Sequence, residues 1–268
     1  MTLSATPTNI ALVGSTWGFF FNREPQEWPT IAEVIEELIA LEFGVEVWTN
    51  RGWEEPWLSP ELVREIKVAC ADASHVSVHT RPENWKWNPH GLSDEVDLCA
   101  LIGAHALILH PSSLGLEGPS PRPDFPGIRR LAAQAREQGV QLVLENTRDT
   151  MWALDLALDE IGDDPEKTNL GICIDVGHAY ISQDAGREPI RNYIERYKGQ
   201  LVHLHLHDNF GDDDEHLPLK EGSIDWQDLA DTLKAIEYDG PAVLELQSQG
   251  DLPAAFADAR NYLRSLGL

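Results

Sequence analysis

Residues 201–209 read LVHLHLHDN. Histidines take alternate positions, His203, His205 and His207, and Asp208 follows at once. Side chains two residues apart on a β-strand share a face, so the three imidazoles line one side of one strand. Such a ladder is an unusual hydrophobic filling. It is read as a hydrogen-bonded core, a proton relay or the wall of a metal site.

Similar β-rich runs recur on either side, at 9–15, 44–49, 75–80, 105–111, 141–147, 170–177 and 241–247. Helical patterns alternate with them at roughly 30–43, 59–72, 92–102, 125–138, 149–160, 187–198, 225–236 and 253–265. The first has Ile31, Val34, Ile35, Leu38 and Ile39 at helical spacing, with Pro29-Thr30 as a start signal and Gly44 as a stop. Eight strand–helix alternations argue for a parallel sheet, and eight is the number that closes a barrel. The predicted fold class is α/β, a (β/α)8 TIM barrel, with residues 1–268 as a single domain. An open doubly wound sheet is the alternative; the unbroken alternation and the lack of a GxGxxG turn after the first strand weigh against it.

The composition narrows the function classes. Hydrophobic residues make up 42% of the 268, enough for a sizeable core, and no apolar run is long enough to span a bilayer. The start, MTLSATPTNIALVG, lacks a basic segment ahead of an apolar run, so no secretory signal is expected. Cys70, Cys99 and Cys173 are scattered and odd in number, which fits a reducing cytoplasm better than a disulfide framework. The net charge is −25, from 45 acidic against 20 basic residues, and the basic ones are dispersed. This disfavours nucleic acid as a partner, because phosphate contacts supply most of that affinity.

In a barrel the active site lies at the C-terminal strand ends, and here six consecutive strands end in an imidazole or a carboxylate. They are His79, His110, Glu145, Asp175 with His178 one turn on, His205 with His207 and Asp208, and Glu245; the loop after the seventh adds Asp214 and His216. Alternation puts Val143 and Glu145 on one face, as it does Cys173 with Asp175 and Val243 with Glu245. Glu145, Asp175, Asp214 and Glu245 in one mouth would raise one another's pKa or require a counter-ion. Histidine and carboxylate donors without cysteine suit zinc, manganese, iron or cobalt, and magnesium less well. The expected cofactor is a divalent metal, zinc or manganese foremost.

The runs LILHPSS, LVLENT, GICIDVGHAY, LVHLHLHDN, DEHLPLKEGSIDW and YDGPAVLEL, in this order, resemble the xylose isomerase-like TIM barrel superfamily. That superfamily includes sugar phosphate isomerases and epimerases and the endonuclease IV family. The resemblance covers residues 75–247 or so, and the first third of the chain is less diagnostic. It implies Glu145, Asp175, His205 and Glu245 as ligands of a single metal in the isomerase branch. In the hydrolytic branch it implies His79, His110, His178, Asp214 and His216 as further ligands of a three-zinc cluster, so the resemblance implies one to three ions. One departure is PLKEG, where relatives carry PGEG: Lys220 stands in place of a glycine, either pairing on the surface or reaching a substrate phosphate.

Two mechanisms follow from one site. In an isomerase or epimerase, the metal chelates a small sugar or sugar phosphate, Glu145 and Glu245 move the proton, and His178 assists polarisation. In a phosphodiester hydrolase acting at abasic DNA sites, a zinc cluster generates hydroxide. The ligand tally favours the second; the charge and the loops NRGWEEPWLSP and RPENWKWNPHGL, which do not match the DNA-inserting pattern, favour the first. A barrel that binds metal without turnover is the third class. Tryptophans crowd the first third, and Trp17, Trp53 and Trp85 are expected to contact a sugar ring, although the same rings would serve a homodimer interface. Along the ladder, His203 is expected as a core imidazole, His205 as the metal ligand and His207 as a substrate or supporting contact; Asp208 orients a ligand or caps the loop.

Overall fold

The computed structural model describes residues 10–20, 27–48, 59–118, 120–182, 189–248 and 250–268. Eight strands form a closed, all-parallel barrel in sequence order: β1 Ala11–Ser15, β2 Gly44–Trp48, β3 Val76–His79, β4 Ala106–Leu109, β5 Gln141–Glu145, β6 Leu170–Asp175, β7 Leu201–Leu206 and β8 Pro241–Leu244. Every strand lies within the run expected of it. The longer helices are α1 Ile31–Ala40, α2 Pro60–Ala69, α3 Pro89–Ile102, α4 Phe125–Glu137 and α5 Met151–Ile161, then α8 Ile190–Tyr197, α9 Trp226–Ala235 and α10 Leu252–Ser265. Two short helices were not expected, α6 Pro165–Thr168 and α7 Val176–Ile181. No helix among the described residues is long and apolar enough to cross a membrane.

Local chemistry explains the helix boundaries. Thr30 closes a capping box with Glu33, satisfying two of the backbone N–H groups that a helix start leaves unpaired. Asn88, Asp124 and Asp251 cap α3, α4 and α10, each followed by a proline inside the first turn, where its missing N–H costs nothing. Asp175 accepts the His178 N–H at 2.7 Å and so starts α7 directly at the end of β6.

Strand register carries the fold through to function. Glu145 pairs with Cys173, Cys173 with His203, Asp175 with His205, and His205 with Val243. Side chains in register on neighbouring parallel strands point the same way, so these residues share the barrel interior. A small apolar cluster of Ala106, Ile108, Val143 and Cys173 occupies one part of the interior and the buried polar side chains of Glu46, Ser77, His203 and His205 another, while the large core lies between barrel and helices.

Candidate metal centre

The strand ends converge on a cavity of about 380 Å³ lined by His79, His110, Glu145, His178, Asp214, His216 and Glu245, together with Trp17, Trp48, Pro82 and Trp85. No lysine or arginine is among these lining residues. Asp175, His205 and His207 are fully buried against its floor. The structure therefore brings together all nine residues expected as ligands.

Glu145 is the hub. One of its oxygens lies 3.2 Å from His79 Nε2 and 3.4 Å from His110 Nε2; the other lies 3.3 Å from His178 Nδ1 and 3.4 Å from His205 Nδ1. Burial works to raise its pKa, but the surrounding imidazoles, His205 and His110 first, hold it well below the usual carboxylate range. Asp214 joins the outer part of the site, with one oxygen 3.1 Å from His178 Nε2 and 3.2 Å from His216 Nε2. It too is lowered, because His178 and His216 outweigh its partial burial. Glu245, by contrast, is pushed up to about 7: burial dominates, and the attraction of His205 and His79 does not cancel it.

Three histidines share one arrangement. His79, His178 and His216 place Nδ1 at 3.0, 2.9 and 2.9 Å from the carbonyls of Thr80, Asn146 and Glu245. A carbonyl only accepts, so each Nδ1 carries the hydrogen and each Nε2 turns a lone pair toward a carboxylate oxygen. Two acceptors facing one another need a proton or a cation between them. Two donor atoms bound at ~2.1 Å to one cation are themselves about 3.0–3.4 Å apart, close to the spacings found here. Asp175 Oδ2 and both ring nitrogens of His205 are buried without an aligned hydrogen-bond partner. His205 Nδ1 faces Glu145, Glu245 and Asp175 oxygens at 3.4, 3.6 and 3.9 Å. By donor set, spacing and unsatisfied atoms, these residues fit a divalent cation.

The remaining expectations fall out unevenly. His207 is not among the cavity-lining residues: it is fully buried, its Nε2 3.1 Å from Asp175 Oδ1 and 3.5 Å from Asp214 Oδ1, with its ring stacked on His216. The reason is that β7 ends at Leu206, after which the ring turns onto Gly177 of α7. Trp17 and Trp85 do line the cavity, but each also lies on a histidine, Trp17 at 4.4 Å from His216 and Trp85 at 4.7 Å from His110 by ring centroids. Trp53 lies outside the described residues. His203 is a buried core imidazole, its Nε2 3.0 Å from Glu46 Oε2. Asp208 accepts hydrogen bonds from the backbone N–H of Asn209, Lys220 and Ile224 and from Trp226 Nε1, so it clamps the loop that carries Asp214 and His216. Lys220 takes a left-handed backbone, φ 76°, which explains why a glycine suits this position. Its Nζ lies over the Tyr262 ring rather than in the site.

Trp48 on β2, one of the tryptophans that crowd the first third of the sequence, completes the tryptophan wall, 5.5 Å from His79. Sequence reasoning missed two residues here, Asn146 and Glu46. Asn146 locks β5 to β6, accepting from Asp175 N and donating to Asp175 O. Glu46 sits in the barrel under His205; the charged residue at the centre of GVEVW was its only signal.

Comparison with known proteins bears on this geometry. A family model described as xylose isomerase-like TIM barrel matches residues 43–266. An uncharacterized protein of Methanocaldococcus jannaschii is 30% identical over 146 residues, 52% of this chain and 48% of that protein, so the chain spans about half the length of this curated relative. Endonuclease 4 of Thermus thermophilus is 25% identical over 216 residues, 72% of this chain and 78% of the relative. Among solved structures, D-psicose 3-epimerase of Clostridium cellulolyticum H10 superposes with a TM-score of 0.74 at 16% identity, covering 96% of this chain and 99% of the other. At that identity the likeness is one of fold.

Proposed function

This chain belongs to the xylose isomerase-like TIM barrel family, and from that premise we propose that it is a divalent-metal-dependent isomerase or epimerase of a small sugar. The observation that carries this reading is the cavity itself. Its volume, about 380 Å³, suits a small molecule. Two buried carboxylates of opposite character, Glu145 held ionised and Glu245 raised to about 7, face it from β5 and from the end of β8. A pair of groups whose environments push their pKa values apart divides naturally into base and acid.

Glu145, Asp175, His205 and Glu245 would hold the cation, with zinc or manganese best suited to these donors. When bound, the cation supplies Lewis-acid polarisation of the sugar carbonyl. Glu145 takes the proton from the carbon next to that carbonyl, and the C–H electrons pass into an enediolate. Glu245 returns a proton to the carbon from the other side, inverting it. His178, with Nδ1 tied to Asn146 O, keeps Nε2 turned toward Asp214 and the outer part of the cavity. Trp17, Trp48 and Trp85 exclude water and offer flat apolar walls to a sugar ring. A cytoplasmic setting fits the three cysteines, which are free and buried.

A second reading, a zinc-cluster phosphodiester hydrolase, is favoured by one observation: the additional donors His79, His110, His178, Asp214 and His216 crowd the same cavity. Its likeness to Endonuclease 4 points the same way. The net charge of −25 opposes a polyanionic substrate. Metal analysis of the purified protein, with ketose turnover and abasic-DNA nicking assayed side by side, separates the two. Ketose turnover without nicking is expected; three zinc ions with nicking and no sugar turnover would replace the first reading by the second.

A further inference from the structure

His205 departs from the arrangement of its neighbours. Where His79, His178 and His216 each give one nitrogen to a backbone carbonyl, His205 gives neither. Its Nδ1 points into the cluster of Glu145, Asp175 and Glu245, and its Nε2 lies 3.2 Å from Glu46 Oε1. Glu46 comes from β2, on the far side of the barrel interior, and is fully buried. Its other oxygen accepts from Ser77 Oγ at 2.8 Å and pairs with His203 Nε2 at 3.0 Å. Oε1 has no aligned partner, nor do the two nitrogens of His205. The unsatisfied atoms are thus complementary: Glu46 Oε1 faces His205 Nε2, and His205 Nδ1 faces three carboxylates.

We propose that Glu46 is the positioning residue of the metal centre, accepting the Nε2–H of His205 so that the Nδ1 lone pair is delivered to the cation. The inference rests on the metal dependence proposed above. A ligand histidine must be fixed in one tautomer and one ring orientation, and the partner of its second nitrogen does both. A cation drawing on Nδ1 leaves the ring hydrogen on Nε2, and a small rotation of the ring or the carboxylate then satisfies both orphaned atoms at once. A carboxylate in this place, where the neighbouring histidines have carbonyls, also makes the imidazole a stronger donor. His203 and Ser77 hold Glu46 in turn, which gives the lower rung of the histidine ladder its purpose: it supports the carboxylate that supports the ligand.

Zinc affinity is to be measured by chelator competition on the metal-free chain and on Glu46→Gln, alongside histidine ¹⁵N NMR of the zinc-loaded wild type. Glu46→Gln is expected to weaken zinc binding about 10–100-fold. In the loaded wild type, His205 is expected to coordinate through Nδ1 and to carry a solvent-protected hydrogen on Nε2. That signature does not depend on any variant folding; it fixes which nitrogen binds the cation, and weaker zinc binding by a folded Glu46→Gln then assigns the effect to the partner of the other nitrogen. Coordination through Nε2, or equal zinc affinity in a folded Glu46→Gln, overturns the inference alone. A wild type that takes up no divalent metal overturns the proposed function as well.

Discussion

Gly177→Ala tests how the centre is packed. Gly177 lies in α7, and a Cβ added there would sit 1.9 Å from Cε1 of His207, 2.3 Å from its Nε2 and 2.5 Å from its Nδ1. Carbon atoms settle at about 3.5–4.0 Å, so the ring must shift by roughly 1.5 Å. It has nowhere easy to go. One face stacks on His216 with centroids 3.9 Å apart and planes 19° apart, and Nε2 is held 3.1 Å from Asp175 Oδ1. Losing a hydrogen bond to a buried carboxylate costs about 1.5–3 kcal/mol. Overpacking adds about 1–3 kcal/mol, and the better helix propensity of alanine returns up to about 1 kcal/mol. The net expectation is a destabilisation of about 1.5–6 kcal/mol. At about 2–4 °C per kcal/mol for a chain near this size, the melting midpoint of the metal-free protein should fall by roughly 3–24 °C. In a His207→Ala background the same change should be neutral or slightly stabilising, because the obstructing ring is gone. A Gly177→Ala protein as stable as the wild type, or one that loses as much stability in the His207→Ala background, would refute the packing argument.

Glu145→Gln should abolish metal retention, read by elemental analysis after gel filtration, and lower turnover by about 10²–10⁴-fold, since Glu145 contacts four imidazoles and is the proposed base; retention at the wild-type level would contradict its place as hub. Glu245 is raised from 4.5 to about 7, so its contribution to stability is full below about pH 4.5 and is lost as pH rises through 7. In the metal-free protein, wild type should lose on the order of 3 kcal/mol relative to Glu245→Gln across that window, measured by denaturant unfolding at several pH values; parallel pH profiles would rule the shift out. Lys220→Gly relieves a left-handed backbone but gives up the contact of Nζ with Tyr262. It should stabilise the fold by about 0.5–1 kcal/mol in thermal unfolding and leave turnover unchanged.

Most of the barrel is visible in the sequence because parallel strands buried on both faces appear as short apolar runs. The period of two then fixes which residues enter the interior. That is why alternation places Glu145, Asp175 and Glu245, while it leaves the three histidines of the ladder equivalent and only the family resemblance singles out His205; the register pairs Glu145 with Cys173 and Asp175 with His205. Alternation fails where a strand stops. Past Leu206 the chain is governed by the Asp208 clamp and by the space above Gly177, and His207 packs on His216 with its Nε2 beside Asp175 and Asp214, in the supporting place that is one of its two expected roles. Trp17 and Trp85, expected to contact a sugar ring or a dimer partner, line the cavity and each also packs on an imidazole, a contact between residues remote in sequence that alternation does not reveal. Glu46 was passed over because one charged residue in a five-residue strand resembles the solvent side of an ordinary sheet; only barrel closure makes that side interior.

The most direct test of the account is solvent-proton exchange during turnover. The zinc- or manganese-loaded protein is incubated in D₂O with a panel of neutral ketoses, and the products are read by NMR. The account predicts metal-dependent deuterium incorporation at the carbon next to the carbonyl together with inversion at that carbon, both lost in Glu145→Gln and Glu245→Gln. Absence of exchange across the panel, with the same loaded protein nicking abasic-site DNA, would contradict it.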